Sequence, residues 1–228
     1  MLQKTITICL LLLSIVGFSQ ITDFKAPDYS SIEKDIQDTQ SDYYYPQLMQ
    51  QLKTGTTVLT ASQYEHLYYG YVFQTAYNPY AVFSKDEELD TYYKKEPDME
   101  DIPRLQILLR EALDEFPFDF TAMMFLSYIY HLNGEEEKSE LLSKHFEGFA
   151  KAIMASGDGL TCETGLHVIA VEHEHHMLQL FDLQHISQSF DGTCDFLALD
   201  PEYYTLPGIY FNVSQLQKKN QAILKSNK

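Results

Sequence analysis

The chain has 228 residues with 33 acidic against 16 basic side chains, a formal charge of −17. That balance excludes the usual ways of holding DNA, RNA or anionic lipid, which need Lys and Arg to neutralise phosphate. Hydrophobic residues make up 45% of the sequence, enough to build one large or two small domains around a real core.

Residues 1–19 read as a cleaved secretory signal. Lys4 supplies the positive start, Ile6 to Val16 an apolar run, and Gly17 and Ser19 the small residues ahead of a cut before Gln20. Cys9 lies inside that run behind Ile8, where a lipid anchor would need a small residue. The run is shorter than the ~20 residues of a spanning helix, and no second one follows, so the mature chain is expected to be secreted or periplasmic with no membrane span.

Residues 20–40 read as a linker and a short helix, with Ile32 and Ile36 four apart on one face. A helical part is expected over 41–156. YPQLMQQLKTG places Pro46 in a first turn and stops at Gly55. In LTASQY, Thr60 and Gln63 form a capping box, with Leu59 set to pack on Tyr64, so a helix is expected from Ala61 to about Gln74. The acidic runs at 86–90, 96–101 and 134–138 read as solvated loops or helix starts, and none has the ligand spacing of a calcium loop. IPRLQILLREALDEF, an Asp119-capped FTAMMFLSYIYHL and EEKSELLSKHFEGFAKAIMAS are three further helices joined by short turns. The last two, with Pro117 before and Gly134 between, look like one tetratricopeptide-type helical hairpin. No second copy at a ~34-residue period supports a repeat array.

Over residues 157–228 the hydrophobic period shifts from about 3.6 to 2. HVIAVEHEH, TCDFLALD and PGIYFNVS are expected to be three antiparallel strands, followed by a tail helix, SQLQKKNQAILK. The fold class is therefore α+β, with a small antiparallel sheet at the C-terminal end packed on the helices as one domain. Cys162 and Cys194 survive maturation. An even count in an oxidising compartment favours a disulfide, the alternatives being two buried thiols or a nucleophilic Cys162 near His167.

Residues 64–80, YEHLYYGYVFQTAYNPY, hold much of an unusual balance of 17 Tyr and no Trp. Either these tyrosines fill a helix interface or they leave one aromatic face open for a ligand, with Tyr64, His66, Tyr68, Tyr69, Gln74, Tyr77 and Tyr80 as the binding set. The segment YYYPQLMQQLKTGTTVLTASQYEHLYYGYVFQTAYNPY resembles the opening signature of domain-of-unknown-function family 4919, exported proteins of about this length. SGDGLTCETGLHVIAVEHEHHMLQLFDL and GIYFNVS resemble its C-terminal signatures. The resemblance implies export and this architecture but carries no activity, and His175, His176 and Cys162 depart from the family pattern.

The densest polar cluster is VEHEHHML. On a strand, His173 and His175 would share a face and could bind zinc or copper, given a third ligand from elsewhere such as His167, His185 or Asp195. The bland alternative is a structural histidine at the core edge. No catalytic residues are assigned, because no G-x-S-x-G, phosphate loop or nucleotide fingerprint is present. The preferred reading is a non-catalytic exported binding module that takes a protein, peptide or glycan partner on the Tyr-rich helical surface, with no cofactor. The alternative is a metal-dependent enzyme or metal-binding protein centred on His173 and His175, and a third, weaker reading is an envelope protein with no ligand.

Overall fold

A computed structural model describes residues 24–54 and 57–226. The signal expected over 1–19 lies outside the described residues. The first described helix is α1 (Tyr29–Gln37), started by Asp28, whose carboxylate accepts from the amides of Ser30 and Ser31. Next comes α2 (Tyr45–Thr54).

Helix α3 (Ala61–Gly70) opens with the expected capping box, both halves of it made. Leu59 and Tyr64 are both buried, as the staple requires. The helix stops four residues earlier than expected, tightening into a 3₁₀ turn at Tyr71–Phe73. The acidic run at 86–90 starts α4 (Asp86–Tyr93), where negative side chains favour the positive end of the helix dipole. Helix α5 (Ile102–Glu115) has Pro in its first turn. Then α6 (Phe120–Leu132) and α7 (Glu136–Met154) fold back on each other through a tight turn in which Gly134 takes φ +74°. Asp119 caps α6 by accepting from the Ala122 amide at 2.8 Å.

The C-terminal part departs from expectation. Strand β1 is only Leu166–His167, and residues expected to continue it form helix α8 (Glu172–Leu180). An extra strand, β2 (His185–Phe190), precedes β3 (Cys194–Leu199) and β4 (Gly208–Asn212), and α9 (Ser214–Ser226) is the last described element. The sheet order is β1-β4-β3-β2. Because β1 runs parallel to β4 while the other pairs are antiparallel, the sheet is mixed instead of purely antiparallel. Asp195, Leu197 and Leu199 alternate on its covered face, and the edge strand β2 is exposed along its whole length.

The main core lies where α3, α6, α7, α8 and the sheet meet, around the fully buried rings of Tyr68, Tyr69, Phe118, Phe120, Phe149 and Phe211. A smaller cluster of Leu105, Leu108, Leu109 and Leu126 joins α5 to α6. Cys162 and Cys194 form a disulfide with Cα atoms 5.7 Å apart. It ties the loop before β1 to the start of β3.

Candidate functional site

The tyrosines expected to form a ligand surface are core residues instead. Tyr64, Tyr68, Tyr69 and Tyr77 are each 3% exposed or less. Each hydroxyl finds a partner within the fold, as a buried phenol must. Tyr64 meets His145 Nδ1 at 2.8 Å, and Tyr68 meets His173 Nδ1 at 2.7 Å. Tyr69 lies 3.2 Å from the carbonyls of Ala152 and His167, and Tyr77 donates to the Ile169 carbonyl at 2.9 Å. Gln74 is half-buried and donates to the Gly70 carbonyl. His66 stacks on Tyr43 with centroids 3.8 Å apart, and half-exposed Tyr80 accepts from Asn220. These seven residues face different neighbours and build no common surface.

His173 and His175 do not assemble either. On a helix, positions two apart point nearly opposite ways. His173 is 0% exposed, sandwiched on Phe120 with centroids 4.2 Å apart, and both ring nitrogens are used. Nε2–H donates to the Phe118 carbonyl at 2.8 Å, so Nδ1 must accept from Tyr68. Burial drives its pKa down to about 3, and the neutral ring makes no ion pair with Glu172, 3.7 Å away. His175 turns to the surface and faces His185 across 5.0 Å. Among the described residues, the set of three His, Cys, Asp or Glu groups close enough for one ion is Cys162, Asp191 and Cys194. Two of its sulfurs are bonded to each other.

The concave aromatic surface lies elsewhere, between the end of α4, the outer face of α6 and α8. It is an open groove of about 560 Å³. Phe120 and Phe146 line it together with Tyr92, Tyr93, Phe125 and Tyr128, and Met124 and Leu180 belong to the same lining. Met124 is 41%, Tyr128 39% and Leu180 45% exposed, so the apolar surface is open to solvent. At one wall His176 Nδ1–H donates to the Glu172 carbonyl at 2.8 Å, leaving Nε2 to accept from the Thr121 hydroxyl at 2.8 Å. This is the distance of a nucleophile and its base. The third partner is a neutral carbonyl, however, which orients the ring without stabilising an imidazolium as a carboxylate would.

Two glutamates of α8 are half or fully withdrawn from water. Glu172 is pushed up to about 8 by burial, aided by the charges of Asp119 and Asp86. Glu174, 0% exposed, is pushed up to about 9 by burial and by neighbouring Asp195. Gln188 Nε2 donates to the carboxyls of Glu174 and Asp195, at 3.4 and 3.1 Å. The groove was missed in the sequence because its aromatic residues come from three helices and fall on no single period. The signal present was Met124 and Tyr128, four apart on α6 and outside its buried face.

A family description, Domain of unknown function (DUF4919), matches residues 30–222. No curated protein and no solved structure matches the chain significantly.

Proposed function

The chain belongs to the DUF4919 family, and from that premise and the geometry we propose a non-catalytic recognition domain, exported, that holds an apolar peptide segment in the aromatic groove. The observation that carries this reading is the exposure of Met124, Tyr128 and Leu180 beside ordered rings in one concave surface. Large apolar side chains gathered this way on a soluble face mark binding surfaces, and aromatic anchors give the most contact for the least ordering cost. Export is supported by the disulfide, which persists in oxidising compartments. Among the described residues no helix is long and apolar enough to cross a membrane.

Asp86 and Glu87 in the first turn of α4, with Glu96 in the groove lining beside a Lys95 that is paired with Asp101, favour a segment with Lys or Arg at its flanks. Selection of displayed 12-residue peptides against the mature protein tests this. Enrichment of basic-flanked apolar sequences is expected, with capture weakened about tenfold or more by Met124→Lys or Tyr128→Glu at unchanged melting temperature. No enrichment, or equal capture by both variants, removes the groove as the site.

A further inference from the structure

His66, His131, His145, His167, His173 and His176 each use a ring nitrogen in a hydrogen bond within the fold. Among the described residues, no such bond reaches a ring nitrogen of His175 or His185. Yet these two rings face each other, His175 half-buried on α8 and His185 exposed at the start of β2. Within VEHEHH, His173 and His176 have both ring nitrogens committed, which leaves His175 as the available imidazole.

The ring centroids of the pair lie 5.0 Å apart with the planes tilted by 35°. Two imidazoles bound through nitrogen to one tetrahedral ion, each at ~2.0–2.1 Å, bring their centroids to about 5 Å. The fold therefore already holds the separation that a shared ion requires. The segment between the rings is pinned as well. The amides of Asp182 and Leu183 donate to the Gln179 and Leu178 carbonyls at 3.0 and 2.9 Å. The Tyr204 hydroxyl accepts from the Gln184 amide and donates to the Asp182 carbonyl, both at 3.2 Å. Little ordering is left for an arriving ion to impose.

Both histidines line one surface recess with Leu178, Gln179, Asp182 and Gln184. Asp182 is the carboxylate of that lining, and no Lys or Arg shares it. A cation is further favoured by the formal charge of −17 on the chain. Among the described residues, no third His, Cys, Asp or Glu atom stands close enough to complete a set of three around this pair. The protein thus offers two ring nitrogens, and Asp182 supplies compensating charge from the wall of the recess.

We propose that His175 and His185 together bind one divalent ion of the zinc and copper type. Imidazole nitrogen suits these metals, whereas magnesium and calcium take oxygen ligands. With two protein ligands the coordination stays open and the ion exchangeable, unlike a closed structural zinc site. The bound ion ties the exposed edge strand β2 to α8.

Calorimetric titration of the untagged mature protein with zinc chloride, in excess magnesium chloride, tests the assignment. One zinc per chain is expected. His175→Gln and His185→Gln should each weaken binding by at least about tenfold, since loss of a mere outer partner of a ligand already costs about 10–100-fold. Neither ring is in the core, so both variants should melt like wild type without metal. Asp182→Asn should weaken zinc less than either histidine change, and His131→Gln, at an exposed site on α6, should leave it unchanged. With copper(II) chloride in place of zinc, electron paramagnetic resonance should show hyperfine splitting from two imidazole nitrogens. No one-to-one binding in the presence of magnesium, binding that survives His175→Gln or His185→Gln, or splitting from a single nitrogen overturns the proposal. So does loss of binding in His131→Gln, and an unchanged affinity in Asp182→Asn removes the carboxylate from the site. The proposal is independent of the peptide reading, and either can fail alone.

Discussion

Tyr68 and His173 show how a buried polar pair can replace a functional one. The hydroxyl accepts from one backbone amide and donates to the ring, and the ring donates onward to a carbonyl, so every polar atom is satisfied inside an aromatic core. Tyr68→Phe keeps the ring but leaves His173 Nδ1 without a donor. A loss of about 1–3 kcal/mol is expected in denaturant unfolding, and Tyr68→Ala should cost about 3–5 kcal/mol by opening a cavity. A Tyr68→Ala protein as stable as wild type would return this side chain to the surface. The glutamates of α8 carry the opposite sign. Glu174 holds its proton in the fold up to about pH 9 but releases it near 4.5 when unfolded. Its contribution to stability is therefore fullest below 4.5 and is lost as pH rises toward 9. Glu174→Gln should raise the melting temperature at pH 8–9 by several degrees and leave it little changed near pH 4.

At the scale of elements, α3 and α7 come together because Gly148 has no side chain. A Cβ there would lie 2.4 Å from the Tyr64 ring, too close for any packing without movement. Gly148→Ala should destabilise the protein by about 1–3 kcal/mol. It should also perturb the His145 ring signals, since Tyr64 is its partner. Unchanged stability would mean that the two helices have slack here. Helix α8 is the element that sequence reasoning misassigned. Its buried positions are His173, Glu174, Met177 and Leu178, a four-residue spacing in which two members are ionisable types. Counting His and Glu as polar erased the helical period and left a false alternation. The absence of β-branched residues after Val171 was the available signal for a helix. Strand β2 was missed for the converse reason: HISQSF is exposed on both sides and shows no alternation to detect.

For the whole molecule, pH balances two groups of buried side chains. His145, His167 and His173 are lowered by burial from 6.5 to about 4, 4 and 3, so their neutral forms favour the fold above 6.5 and that stability is lost as pH falls. Glu172 and Glu174, raised from 4.5 to about 8 and 9, act the other way as pH rises. Three protons taken up by the unfolded chain on one side and two released on the other place the stability maximum at about pH 6. Melting temperatures measured from pH 4 to 9 should trace a dome around that value, and a monotonic rise toward pH 8 would contradict the burial of the two glutamates.

The α+β class, the capping box at Thr60, the Asp119 cap, the α6–α7 hairpin and strands β3 and β4 were legible in the sequence because they depend on local periods and short motifs, and the family was legible through the resemblance of its signature segments. The sequence did not separate the two readings of the tyrosines or of VEHEHH. Whether a Tyr or His is surface or core depends on what packs over it, and those partners lie far along the chain: Tyr68 and His173 are 105 residues apart. Packing settled that most of the expected ligand set, Tyr64, Tyr68, Tyr69 and Tyr77, is buried and that an aromatic groove opens elsewhere.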